Sequence, residues 1–128
     1  MNDTDTDAAS RPDLLEKVTG RAVYASDISV PGMAQGRILR STVPHARIVR
    51  LDCAAAAALE DVITVLTGAD LASLAQDHWG LFLKDRPVIA VDKVRYVGEP
   101  VALVVAETAA IAEAALDLID VDYEDLPF

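Results

Sequence analysis

Cysteine is nearly absent: Cys53 is the only one in 128 residues. That excludes an internal disulfide, and it excludes the set of thiolates that an iron–sulfur cluster takes from its protein. Aromatic residues are scarce at 5%. The core is therefore expected to form from small aliphatic side chains in close helix–sheet contact rather than from clusters of rings. No apolar run approaches the roughly 20 residues that cross a bilayer, and the N-terminus lacks the positive n-region and apolar h-region of a signal peptide. Glycine is not gathered into a dinucleotide fingerprint or a phosphate loop. The two histidines, His45 and His78, have no acid–histidine spacing of the metal-binding kind. With a net charge of −10 there is no concentrated basic footprint, so nucleic acid is not an expected partner. A lone thiol fits a reduced, cytoplasmic setting.

What is present begins with an uneven charge distribution. Residues 11–50 carry seven Lys or Arg against three acids, whereas residues 51–128 carry four against fifteen. Either two oppositely charged faces dock onto different neighbours, or an acidic surface is simply solvated. Residues 1–10 hold three aspartates and no apolar pattern, which predicts a disordered acidic tail. Residues 11–128 are expected to form one domain.

Within that domain the pattern predicts a short helix over 11–17, strands over 35–42 and 47–52, a short alanine helix from Cys53 to Leu59 capped by Asp52, and a strand over 62–66. A helical turn over 68–74 follows. Val101 to Ala106 is a nearly continuous apolar run, as a strand covered on both faces requires. Gly98 supplies backbone freedom before it, and Pro100 can open a central strand without filling it. Thr108 caps a helix that places Ile111, Ala115, Leu118 and Ile119 on one face, and 120–124 alternates as a further strand. Two strand–helix–strand units, 47–66 and 101–124, follow. Their short helices favour an α+β fold with a mixed sheet over a doubly wound one.

The run Val94-Arg95-Tyr96-Val97-Gly98-Glu99-Pro100-Val101-Ala102 resembles the corresponding stretch of the molybdenum hydroxylases, the relatives of xanthine dehydrogenase, aldehyde oxidase and carbon monoxide dehydrogenase. The likeness extends through Glu16 to Ile28, through Leu39-Arg40-Ser41 with Pro44-His45-Ala46-Arg47-Ile48, and through Val62 to Leu71. The separated blocks keep the family's order and cover nearly everything from residue 11 onward. They match the N-terminal α/β hammerhead domain of the molybdopterin-binding subunit. The resemblance implies an oxidoreductase that inserts a water-derived oxygen at a C–H carbon. The complete enzyme would carry molybdopterin–molybdenum, iron–sulfur clusters and, as an optional module, FAD. The implied partners are the remaining molybdopterin-binding domains or subunit, an iron–sulfur subunit and an optional flavin subunit. Because the family's cofactor segments and catalytic glutamate lie in later domains, the resemblance assigns no catalytic, cofactor or metal residue here. The expected role is docking and shaping of a substrate funnel, inert alone. A domain that normally packs against others is also expected to self-associate when isolated. The competing reading is a free-standing binding or assembly module that kept the fold without enzyme activity.

The candidate contact residues lie in His78-Trp79-Gly80-Leu81-Phe82-Leu83-Lys84-Asp85. In xanthine-oxidising relatives a Gly-Leu-Phe stretch lends apolar side chains to the substrate funnel, and Gly80, Leu81 and Phe82 are similar to it. Trp79, Leu81 and Phe82 are thus the funnel candidates, with Trp79 and Phe82 suited to stacking on a flat substrate. The alternative is that both rings anchor the loop beneath the sheet. Further positions have bland readings beside sharper ones. His45 reads as structural or exposed, Cys53 as a small buried side chain or a thiol at a helix N-terminus, and Asp120, Asp122 and Glu124 as an exposed strand face or a cation site.

Overall fold

The computed structural model describes residues 13–72, 78–80 and 82–127. The chain divides into two compact units, Met1–Pro31 and Gly32–Phe128. The acidic tail expected over residues 1–10 lies outside the described residues.

In the first unit, helix α1 spans Leu14–Val18. Lys17 pairs with Asp13 one turn back, and the Thr19 hydroxyl donates to the Leu15 carbonyl at 2.6 Å, closing the helix end. A 3-10 turn at Ala25–Asp27 follows, its start fixed by the Asp27 carboxylate, which accepts from the Tyr24 N–H at 2.9 Å. None of the described side chains of this unit is buried, and Leu15, Val18 and Val23 are freely exposed.

In the second unit, β1 (Gln35–Arg40), β2 (Ala46–Asp52), α2 (Ala54–Ala57), β3 (Val62–Thr67) and α3 (Gly68–Leu71) follow in order. After them come β4 (His78–Trp79), β5 (Arg86–Pro87), β6 (Lys93–Val94), β7 (Pro100–Ala106), α4 (Ala109–Leu116) and β8 (Asp120–Asp125). The strands form one sheet in the order β1-β7-β3, another in the order β6-β2-β8, and a hairpin β4-β5. The α+β class and both strand–helix–strand units are present. Every pairing among the described strands is antiparallel, however, where the sequence pattern suggests a mixed sheet. Topology explains the difference. Returning to the same sheet in parallel needs a long crossover. Here α2 carries the chain from the β2 sheet to the β3 sheet, and α4 carries it back from β7 to β8.

The apolar run of β7 sits centrally, as its composition requires, and Pro100 opens it. Its residues feed two cores. Val104 and Ala106 meet Ala56, Ala112 and Ala115 of α2 and α4, all fully buried. Val101 meets Ala46, Ala90 and Val94. Removing a valine side chain from water contributes at least about 1.5 kcal/mol, and the alanines allow the helices to approach the sheet closely. The Thr108 hydroxyl accepts from the Ile111 N–H at 3.3 Å and starts α4. The buried stripe of α4 is Ala112 and Ala115, flanked by Ile111, Leu116 and Ile119. Leu118, expected on that stripe, is exposed because the helix ends at Leu116.

Candidate functional site

The Arg95–Pro100 turn is held at three points. Gly98 adopts φ +92°, a left-handed conformation that side chains disfavour, which is why glycine stands there. Its N–H donates to the Ser41 carbonyl at 2.8 Å, and the Ser41 N–H returns a bond to the Glu99 carbonyl at 2.9 Å. Arg40 donates to the Gly98 carbonyl at 2.8 Å. Inside the turn, the Glu99 carboxylate is only 3% exposed. It accepts the Arg95 backbone N–H on one oxygen and the Arg95 guanidinium on the other at 3.1 Å. A buried carboxylate is tolerated only when paired and hydrogen-bonded, and this one is both.

Against this turn lies the β4–β5 hairpin, with Trp79 directly opposite Arg86 and His78 opposite Pro87. Opposed residues of an antiparallel pair point to the same face, so the indole and the guanidinium share one side. A β-carbon at Gly80 would overlap the Leu83 carbonyl, so the tight loop excludes any other residue there. Between hairpin and turn runs a groove of about 520 Å3, walled by Trp79, Arg86, Pro87, Tyr96, Glu99 and Pro100. A second hollow of about 340 Å3 lies along the hairpin, against Trp79, Gly80, Phe82 and Leu83.

Of the three funnel candidates, Trp79 is 60% exposed and Phe82 is 93% exposed, while Leu81 lies outside the described residues. Trp79 borders both hollows and Phe82 only the second. Sequence reasoning did not find Arg86 or the Arg95–Glu99 pair as wall residues. The four-residue spacing of Arg95 and Glu99 across a glycine was an available signal. The position of Arg86 depends on the hairpin register, and no local pattern encoded it.

The remaining candidates are distributed elsewhere. His45 Nδ1 donates to the Pro127 carbonyl at 2.8 Å and ties the chain near its end to the β1–β2 loop. Cys53 is partly buried. Burial raises its pKa, and the nearby charges of Asp52 and Asp70 push it further the same way, so the thiol is not activated. The Asp52 side chain accepts from the Ala54 N–H at 3.0 Å, acting one residue before the N-cap position. Asp120 and Asp122 are taken up by Arg50, at 2.9 and 2.8 Å, and Glu124 lies 3.5 Å from Arg47. The bonds to Asp122 and then Asp120 raise the Arg50 pKa above its ordinary value. This is an exposed ladder of ion pairs rather than a cation site. Among the described residues, no three His, Cys, Asp or Glu side chains are grouped to hold a metal ion. No helix among the described residues is long and apolar enough to cross a membrane.

An α+β domain with two inter-sheet helices and a hairpin against a Val-Gly-Glu-Pro turn defines a class of building block. Residues 19–127 match the family described as aldehyde oxidase and xanthine dehydrogenase, a/b hammerhead domain, and the chain belongs to that family. It is 47% identical over 116 residues to a probable xanthine dehydrogenase component of Bacillus subtilis (strain 168), covering 91% of this chain and 15% of that protein. It is 43% identical over 114 residues to the nicotinate dehydrogenase large molybdopterin subunit of Eubacterium barkeri, covering 89% of this chain and 26% of that one. The structure of CO dehydrogenase from Oligotropha carboxidovorans superimposes with a TM-score of 0.84 at 38% identity, over 91% of this chain and 15% of that one. The chain thus corresponds to one segment of molybdenum hydroxylase large subunits and spans about a quarter or less of the relatives it matches.

Proposed function

We propose that this chain, residues 11–128 above all, is the N-terminal hammerhead part of a molybdopterin-binding subunit in a cytoplasmic molybdenum hydroxylase. Such an enzyme inserts a water-derived oxygen at a C–H carbon and passes electrons through iron–sulfur clusters, with FAD as an optional acceptor. In it the domain docks neighbouring domains and subunits and lines the approach to the metal centre with Trp79, Phe82 and Leu81. The observation that carries this reading is the hairpin. Two large aromatic side chains, Trp79 in β4 and Phe82 in the loop after it, stand in solvent beside a shared hollow. Exposed aromatic area of this kind marks a recognition surface. Sequencing the reading frame downstream of the Phe128 codon and purifying the native assembly tests it. Remaining molybdopterin domains and stoichiometric molybdenum are expected. Their absence, with the chain circulating alone, would establish a free-standing binding or assembly module instead. Within the assembled enzyme, Phe82→Ala and Trp79→Ala are expected to raise KM while leaving the metal content unchanged. An unchanged KM in both variants would remove the funnel role.

A further inference from the structure

A site for a flat anion needs a face to stack on, a cation not already paired, and room for a ring. The groove between the β4–β5 hairpin and the Arg95–Pro100 turn has all three. Its volume, about 520 Å3, lies within the range of small-molecule sites. Trp79 on one wall is 60% exposed and Tyr96 on the other is 52% exposed, so both rings are available to a ligand. Pro87 and Pro100 stiffen the walls between them.

The charge distribution is more selective than the shape. Arg37, Arg47 and Arg50 are engaged by carboxylates of the same unit, and Arg40 by the Gly98 carbonyl. Arg95 also borders the groove, but it is committed to Glu99, to Asp92 and to the Lys93 carbonyl. Among the described residues of this unit, Arg86 is the one arginine whose side chain makes neither a hydrogen bond nor an ion pair. It stands directly opposite Trp79 in the hairpin, on the same face. A guanidinium presents a planar fork of donors that matches a carboxylate with two parallel bonds. A carboxylate attached to a ring stacked on the indole would lie in reach of that fork. The two carboxylates of the groove differ in effect. Glu99 is neutralised by Arg95, whereas Asp85, also on the wall, opposes an anion.

We propose that this groove binds a planar molecule bearing a carboxylate, its ring stacked on Trp79 and its charge anchored by Arg86. As a statement of what enters the enzyme it rests on the funnel reading. As a binding site it stands on the groove alone, so the two fail separately. Loss of the KM effect in the assembled enzyme removes the funnel, and the titrations below decide the groove.

Trp79 is the only tryptophan of the chain, so its emission reports the site directly. The 128-residue chain is titrated with benzoate, and in parallel with benzamide, benzamidine and cyclohexanecarboxylate. Saturable quenching by benzoate is expected, with each of the other three weaker by about tenfold or more, as a charge-assisted bidentate contact and a stacked face require. Arg86→Gln is expected to weaken benzoate about tenfold, Arg86→Lys to restore part of the loss, and Asp85→Asn to tighten binding. Arg86 is exposed and unpaired, so its replacement leaves the fold in place. An amide NMR spectrum of the wild-type chain provides an independent measure, with benzoate shifting the Trp79 indole and the Arg86 and Tyr96 signals. Equal binding of benzoate and benzamide, tighter binding of benzamidine, quenching without saturation, indifference to Arg86→Gln, or shifts confined to other regions would each overturn the proposal.

Discussion

Arg95 and Glu99 close a turn upon themselves: one carboxylate, 3% exposed, takes both the guanidinium and the backbone N–H of the residue four positions before it. Replacing Glu99 by Ala leaves that N–H without its partner and Arg95 with only its weaker contacts. Loss of about 2–3 kcal/mol is expected. It is less than the removal of a fully buried pair, because Arg95 itself remains partly in solvent. Urea unfolding measures it. A cost below about 0.5 kcal/mol, the usual range for surface changes, would show that the turn holds its shape without this pair.

Phe82 is 93% exposed, so Phe82→Ala is expected to change stability by no more than about 0.5 kcal/mol. A phenylalanine in a core costs about 3–5 kcal/mol when truncated. Denaturant midpoints of the two proteins separate these outcomes, and a loss in the core range would make Phe82 a loop anchor.

Cys53 should react slowly. Burial, with the Asp52 and Asp70 charges behind it, raises the thiol pKa, so less thiolate is present at neutral pH than on an ordinary cysteine. The pH dependence of iodoacetamide alkylation is expected to have its midpoint above that of a free cysteine peptide. A midpoint below the peptide's would contradict this environment.

The Asp70 carboxylate accepts from the Thr67 hydroxyl at 2.6 Å and from the Thr67 N–H at 2.7 Å. These bonds, the hydroxyl foremost, hold its pKa below the usual carboxylate range. A depressed folded-state value contributes stability above the unfolded-state pKa and loses it as the pH falls through the folded one. Thr67→Val is therefore expected to raise the Asp70 pKa in an NMR titration. The variant should be less stable than the parent at neutral pH, and that part of the difference should vanish in strong acid. An unmoved Asp70 titration would assign the depression to the backbone bond alone.

Where a local rule governs an element, the sequence was sufficient. Thr108 starts α4, Pro100 opens β7, and the boundaries of the five strands expected fall within two residues of their patterns, whereas the two-residue strands β4, β5 and β6 were not read. The Leu118 position failed because a helical period says nothing about where the helix stops. The pairing direction within the sheets was hidden for a different reason. Whether a strand–helix–strand unit returns to its own sheet depends on distant partners, and a periodic apolar run reads the same in either case. The candidate site was legible only in its aromatics. Trp79 and Phe82 stand out by residue type, whereas Arg86 acquires meaning from its opposition to Trp79 and from the commitments of five other arginines. Both are relations that no local pattern in the chain records.

The two helices that carry the chain between sheets also set the order in which the domain can be made. β1 and β3 find their partner only in β7, and β2 finds its long partner only in β8. As the chain leaves the ribosome, no sheet closes before Pro100–Ala106 emerges, apart from the two-residue pairings of β4 with β5 and β6 with β2. The second sheet waits for Asp120–Asp125. Contacts this remote in sequence slow folding. Nascent chains arrested short of β7 should therefore remain sensitive to protease along most of their length, and protection of the β2 sheet should arrive only once β8 is released.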